Sequence, residues 1–127
     1  MKRRIIHTPL APEAVGPYNQ AVVAAGLVFT AGQIPLDPNT GELIKGDFKR
    51  QVDQVLHNLN AILSAAGSDL SKAVKLTVFL PDLGKFAELN EVFSKRFSGS
   101  EFPARSVVEV SALPLGAAVE IECIATL

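Results

Sequence analysis

The amino-acid sequence predicts a single α+β or mixed α/β domain in which two helices pack on one face of a β-sheet. Short runs rich in valine and phenylalanine occur together with two longer segments whose apolar residues recur at helical spacing. No repeat, low-complexity tract or linker composition divides these segments. With 127 residues, 48% of them hydrophobic, the chain is long enough for one packed core. Residues 1–127 are therefore treated as one domain.

The first third of the sequence predicts a short strand and a β-hairpin. Residues 4–7 form the strand, and the apolar runs 20–25 and 27–33 form the arms of the hairpin on either side of Gly26. Residues 35–41 contain two prolines and an Asn-Thr-Gly segment. Because these residues favour turns, the segment is predicted to be a loop.

The middle of the chain is predicted to form two helices separated by a strand. The first helix spans residues 47–66, with Asp47 as its N-cap and Gly67 as its C′ residue. Its apolar side chains share an arc of about 120°, as in a helix that packs against a core. Residues 74–80, rich in β-branched residues, predict the strand, and residues 83–97 predict the second helix.

Residues 104–111 and 118–126 predict two final strands, and we expect them to pair as a hairpin with Val108 facing the core. This pairing would bring four charged side chains together on the face opposite the helices: Arg105, Glu109, Glu120 and Glu122. Several strands carry apolar residues on both faces, whereas two helices cover only one face. Because nothing else in the chain covers the second face, we expect self-association.

An arginine on a covered sheet face needs a partner, because partly buried charges persist only with an opposite charge, hydrogen bonds or a ligand. The guanidinium of Arg105 offers two parallel donors that fit a carboxylate. Two interpretations stay open: a salt bridge to a glutamate of another subunit, or a bound ligand. Tyr18, the only tyrosine, is most simply an aromatic cap on the core edge, and Asn90 a solvent-facing amide.

Composition and charge exclude several functional classes. Twelve basic and thirteen acidic residues give a formal charge of −1. The chain therefore lacks the excess of positive charge that is typical of proteins that bind nucleic acid or anionic membranes. No apolar stretch reaches the roughly 20 residues that span a bilayer. The single cysteine, Cys123, and two scattered histidines offer neither a disulfide nor zinc-ligand spacing. We therefore expect a cytoplasmic protein that binds neither metal, membrane nor nucleic acid.

Six short motifs follow one another along the chain. They are Gly-Pro-Tyr at 16–18, Ala-Gly-Gln-Ile-Pro at 31–35, Asn-Thr-Gly-Glu at 39–42, Val-Lys-Leu-Thr-Val-Phe-Leu at 74–80, Phe-Pro-Ala-Arg-Ser at 102–106 and Val-Glu-Ile-Glu at 119–122. In order and spacing, the chain from about Ile5 onward resembles the RidA (YjgF) family of enamine/imine deaminases. The Pro-Ala-Arg-Ser segment with its downstream Glu-Ile-Glu is the most specific part of this resemblance.

The resemblance implies a chorismate-mutase-like α+β fold and a homotrimer with three active sites in the clefts between subunits. It also implies hydrolysis of 2-imino acids, such as 2-iminobutanoate and 2-iminopropanoate, to 2-keto acids and ammonia. These reactive compounds are by-products of pyridoxal-phosphate enzymes, and the deaminase itself uses no cofactor.

The resemblance further implies roles for particular residues. Arg105 would hold the substrate carboxylate, and Glu120 would position or activate the hydrolytic water. The other residues expected at the site are Tyr18, Ala31, Gly32, Asn90 and Val107. At Ala31 and Val107 many family members have serine and cysteine, so any hydroxyl or thiol contribution is absent here.

Two other functions are compatible with the same residues. A non-catalytic module could use the arginine to bind keto acids. RNA cleavage or inhibition of translation is also ascribed to members of this family, but the slightly negative charge and the lack of a basic stripe speak against it.

Overall fold

Six β-strands form one mixed sheet, and two α-helices pack on one of its faces, in the computed structural model, which describes residues 2–99 and 101–127. In chain order the strands are β1 (Arg4–Ile6), β2 (Ala21–Ala24), β3 (Leu27–Thr30), β4 (Ala73–Leu80), β5 (Ala104–Glu109) and β6 (Glu120–Thr126). The helices are α1 (Phe48–Ala65) and α2 (Phe86–Arg96), and short 3-10 turns occur at Leu70–Lys72, Leu83–Lys85 and Pro114–Gly116. The predicted α+β class is confirmed.

The local predictions for α1 and for the first hairpin are confirmed. Asp47 caps α1, because its Oδ1 accepts a hydrogen bond from the Arg50 N–H at 3.0 Å. Gly67 follows the helix with a φ of 90°, in the left-handed region that glycine adopts without strain. Strands β2 and β3 pair around Ala25 and Gly26, whose φ values of 54° and 75° are typical of a two-residue hairpin turn.

The predicted hairpin of the last two strands is wrong. The strand order is β1-β2-β3-β6-β4-β5, so β4 lies between β5 and β6. Strand β4 pairs in parallel with β5, and α2 makes the crossover that such a connection requires. The physical reason lies in β4, whose apolar residues on both faces suit an interior position in the sheet.

This order separates residues that the hairpin would have placed on one face. Residues paired directly across neighbouring strands point to the same side of a sheet. Arg105 pairs with the buried Leu76 and therefore lies on the helix-covered face. Glu120 pairs with Phe79, on the opposite face. The expected grouping of Arg105 with Glu120 is thus wrong.

For the same reason, Val107 and Val108 each lie on the sheet face opposite to the one predicted. Val107 pairs with the buried Val78 and packs against the core. Val108 is 42% exposed on the opposite face, where Phe29 is 41% exposed. No element of the described residues covers this open face, in agreement with the expectation that the chain alone leaves it uncovered.

Cys123 on β6 is a buried apolar residue, as the sequence predicted, and burial raises the pKa of its thiol to about 12. We expect the native protein to resist alkylation by iodoacetamide at mildly alkaline pH. Only a small fraction of the Cys123 thiol is then the reactive thiolate, and the side chain is buried away from the reagent. The protein unfolded in guanidinium should be labelled fully under the same conditions, as measured by mass spectrometry. Rapid labelling of the native protein would contradict this burial.

Candidate functional site

Arg105 lies on the edge strand β5 and reaches across to helix α2. Its Nη2 donates a hydrogen bond to Oδ1 of Asn90 at 2.8 Å. The guanidinium carbon lies 5.0 Å from the ring centroid of Phe93 and 5.4 Å from that of Phe86, both within the range of cation–π attraction. The guanidinium is therefore held between one amide and two aromatic rings.

The amide of Asn90 is not solvent-facing, contrary to the sequence-based interpretation. Asn90 and Arg105 are 15 residues apart, and only the β4-α2-β5 crossover brings them into contact. Sequence periodicity could place Asn90 on a helix but could not supply this partner, because the contact depends on how α2 crosses the sheet edge.

Arg105 opens onto a cavity of about 350 Å³, which we call the arginine cavity. Its lining residues are Asn90, Phe93, Ser94, Phe102, Pro103 and Arg105. Partial burial lowers the pKa of Arg105, although an arginine stays protonated at neutral pH. A desolvated guanidinium with one amide partner among the described residues is suited to bind a small carboxylate.

Glu120 lies at the start of β6, on the open face of the sheet, beside a larger cavity of about 500 Å³ that we call the glutamate cavity. Burial raises the pKa of Glu120 above its ordinary value, and the nearby charge of Glu122 raises it further. The pKa of the Glu120 carboxyl group is therefore nearer to neutral pH than usual, which favours a group that accepts and returns a proton.

The carboxylate of Glu120 lies against the backbone at Gly32. A Cβ atom added at Gly32 would lie 3.0 Å from Cδ of Glu120 and 3.2 Å from Cγ, and would overlap Oε2. Only glycine permits this close approach. Two backbone hydrogen bonds between Gln33 and Ile121, of 2.9 and 3.1 Å, hold the segment against β6.

Tyr18 lines the glutamate cavity and does not cap the core edge, contrary to the simpler interpretation of the sequence. Its ring is half-exposed, and its hydroxyl accepts a hydrogen bond from the Val15 N–H at 3.2 Å. The backbone turns sharply here, since Gly16 has a φ of 137° and its carbonyl accepts a hydrogen bond from the Tyr18 N–H. The Gly-Pro turn thereby presents the only tyrosine to the cavity.

Sequence reasoning missed Gln20, which builds one wall of the same cavity. Gln20 is fully buried, accepts a hydrogen bond from the Thr8 N–H at 2.7 Å and donates one to the Pro12 carbonyl at 2.7 Å. A polar residue at the start of an apolar run was the only available signal. Such a residue is buried only when its amide is satisfied.

The predicted site residues therefore fall into two groups. Tyr18 and Gly32 line the glutamate cavity with Glu120, and Ala31 lies beside Gly32 with its N–H bonded to the Gln20 carbonyl at 2.8 Å. Asn90 and Val107 lie with Arg105 on the helix-covered side. Within one chain, the two groups lie on opposite sides of the sheet.

Two negative findings concern residues 2–99 and 101–127. No group of three or more histidine, cysteine, aspartate or glutamate side chains is arranged to hold a metal ion in that part of the chain. Nor does either of its helices combine the length and apolar content needed to cross a bilayer.

Comparison with known proteins extends over nearly the whole chain. A family model described as Endoribonuclease L-PSP matches residues 8–127. The human protein named 2-iminobutanoate/2-iminopropanoate deaminase is 44% identical over 123 residues, which are 97% of this chain and 89% of the human one. The crystal structure of RidA from the Antarctic bacterium Psychrobacter matches with a TM-score of 0.93 at 48% identity, covering 98% of this chain and 99% of that one. The structure of E. coli TdcF with bound serine matches with a TM-score of 0.93 at 44% identity, covering 98% of both chains.

The contact between Gly32 and Glu120 leads to a prediction about the Glu120 carboxyl group. In Gly32→Ala the new methyl group displaces this carboxyl group toward solvent, and we expect its pKa to fall toward the ordinary value. NMR titration of side-chain ¹³C-labelled glutamate measures the shift. Gly84→Ala is the matched control, because its Cβ would press on a different carboxylate, that of Asp82, at 2.9 Å. An unchanged Glu120 titration in Gly32→Ala would refute the contact.

Proposed function

The chain belongs to the RidA (YjgF) family, in which the human relative is named an imine deaminase, and we propose that it hydrolyses 2-imino acids. The products are 2-keto acids and ammonia, and the substrates include 2-iminobutanoate and 2-iminopropanoate. The observation that carries this proposal is the pair of partly buried, opposite charges, Arg105 and Glu120, each at the edge of its own cavity. In the cell the enzyme would remove reactive by-products of pyridoxal-phosphate enzymes.

Arg105 is the residue that recognises the substrate carboxylate. Asn90 and the two phenylalanine rings fix the guanidinium before the ligand arrives, so less side-chain freedom is lost on binding. A planar guanidinium can donate two parallel hydrogen bonds to one carboxylate. The serine bound by TdcF, a relative that is 44% identical, is a carboxylate-bearing molecule of similar size and supports this assignment.

Glu120 is the group that moves protons during hydrolysis. As a carboxylate it takes a proton from water while the water oxygen bonds to C2 of the substrate and the C=N double bond becomes a single bond. The protonated carboxyl then returns this proton to the nitrogen, which gives a carbinolamine with a hydroxyl and an amino group on C2. Glu120 next takes the proton of this hydroxyl as the C2 carbonyl forms and passes it to the nitrogen as the C–N bond breaks, so that ammonia leaves. Positioning and general acid–base catalysis suffice, because imines also hydrolyse without an enzyme.

The active site is proposed to form between subunits. One small imino acid cannot contact both Arg105 and Glu120 of the same chain, because the sheet separates them. Arg105 of one subunit and Glu120 of its neighbour can meet on one substrate, as in the homotrimer that the family resemblance implies. The exposed apolar residues of the open face, Phe29 and Val108, give the subunits a surface to bury.

RNA cleavage, the activity in the description of the family model, is the less favoured function. The glutamate cavity carries two carboxylates, Glu13 and Glu120, which repel a phosphate backbone. The formal charge of −1 gives no basic stripe to offset them. A keto-acid-binding module without catalysis remains the other alternative, and turnover distinguishes it from the deaminase.

Substitution of the two charged residues tests the proposed roles. Arg105→Ala should lower kcat/KM roughly 30-fold or more, because the carboxylate loses its charged donor. Glu120→Gln should lower kcat by roughly 10²–10⁴-fold with little change in KM. A threonine dehydratase supplies 2-iminobutanoate, and semicarbazide traps the imine that survives. Full activity of Arg105→Ala would reject the assignment, and binding without turnover in the unsubstituted protein would identify a keto-acid-binding module.

Mixing the same two variants tests the shared site. In co-expressed subunits, about a quarter of the interfaces pair an intact Arg105 with an intact Glu120, so about a quarter of the activity should return. Separately purified variants, combined without subunit exchange, serve as the control. Failure of the co-expressed protein to regain activity would show that the two residues do not meet across an interface.

The pKa of Glu120 predicts the acid limb of the pH profile. Its carboxylate form is the active base, so kcat/KM should fall as the pH drops through a pKa above the ordinary value of 4.5. Glu122→Gln removes the smaller cause of the shift and should move this limb to lower pH. Asp53→Asn is the control and should not move it, because Asp53 is exposed on α1, on the other side of the sheet from Glu120. Rates are corrected for uncatalysed hydrolysis at each pH. A limb at or below 4.5 would contradict the role of Glu120.

A further inference from the structure

Leu115 has an unusual backbone conformation and an unusual exposure. Its φ and ψ are 58° and 18°, in the left-handed region, where a leucine is sterically strained. Gly116, with a φ of 71°, follows it in the same region. The side chain of Leu115 is 72% exposed, so packing within the chain does not compensate for the strain. A strained residue of this kind points to a function beyond stability.

Leu115 also has a particular location, because it lines the glutamate cavity together with Pro114. The remaining apolar wall of this cavity is formed by Pro12, Ala14, Val15, Ile34 and Leu36. Cavities of roughly 300–1,000 Å³ commonly hold ligands of drug size, and this one measures about 500 Å³. Its apolar wall can therefore contact an apolar side chain of a substrate.

The substrate has one group for which the proposed mechanism gives no contact. Carbon C2 of a 2-imino acid carries the carboxylate, the imine nitrogen and the side chain. In the proposed mechanism, Arg105 of the neighbouring subunit binds the carboxylate. Glu120 transfers protons during the reaction at C2 and at the imine nitrogen. The third substituent is left to occupy the apolar part of the glutamate cavity.

We propose that Leu115 determines substrate specificity by contacting this substituent, and that the site prefers 2-imino acids with branched or long apolar side chains. This inference rests on the proposed function and deepens it. Burial of an apolar substrate side chain against Leu115 removes both from water, which favours the larger substrate. Each additional methylene group in such a pocket changes selectivity by roughly 10–200-fold.

The test compares Leu115→Asn with the unsubstituted protein on a large and a small substrate. Asparagine tolerates the left-handed conformation, so the backbone is kept while the apolar contact is lost. An amino-acid oxidase generates the imines of leucine and alanine. We expect kcat/KM for the leucine-derived imine to fall about 10-fold, with the alanine-derived imine changed less than about 2-fold. Leu115→Gly, which also accepts this conformation, should give the same loss of selectivity.

Leu10→Asn is the matched control, because Leu10 is 70% exposed and lines neither cavity. It should leave the ratio of the two kcat/KM values unchanged. Equal effects of Leu115→Asn on both imines, or none, would overturn the proposal. A drop in solution mass in Leu115→Asn would also overturn it, since Leu115 would then belong to a subunit contact.

Binding of the products separates failure of this inference from failure of the proposed function. Calorimetry measures the affinity for 4-methyl-2-oxopentanoate and for pyruvate, the keto acids of the two imines. If no imine is hydrolysed but Leu115→Asn weakens only the larger keto acid, the specificity role stands and the deaminase does not. If imines are hydrolysed but the ratio of affinities is unchanged, the deaminase stands and the specificity role fails.

Discussion

The position of β4 between β5 and β6 is the constraint on which the site depends. Because paired residues share a face, this order puts Arg105 among the helices and Glu120 on the open face. Had the last two strands formed a hairpin, both residues could lie on one face of one chain. In the observed order, a site that used both residues would require a second subunit, and that subunit could also cover the apolar sheet face.

Arg105 and Glu120 are partly desolvated charges, and neither has an ionic partner among residues 2–99 and 101–127. The ion pairs among the described residues are His7–Glu13, Lys49–Glu91 and Lys85–Glu88, and none of them includes Arg105 or Glu120. Burial shifts both pKa values toward the neutral form, down for the guanidinium and up for the carboxyl. A ligand or a neighbouring subunit that brings the opposite charge offsets that cost, which is the arrangement expected of a preorganised polar site.

The backbone also shapes the site. Gly32 allows the carboxylate of Glu120 to lie against the main chain, and the turn at Gly16 presents Tyr18 to the same cavity. Relatives that share this fold at 44–48% identity carry different names, so the fold alone does not define an activity. Activity on a shared fold depends on the side chains that line its cavities.

The sequence by itself determined what depends on neighbours along the chain: both helices, the caps of α1, the turn at Gly26 and the burial of Cys123. It also identified Arg105 and Glu120 as the charges to explain, because alternation within a strand is a local property. Only the tertiary structure decided which strands are neighbours, and with this the faces of Arg105 and Val108 and the partner of Asn90. Strand pairing joins residues far apart in sequence and is set by the burial of whole faces, so a local pattern cannot specify it.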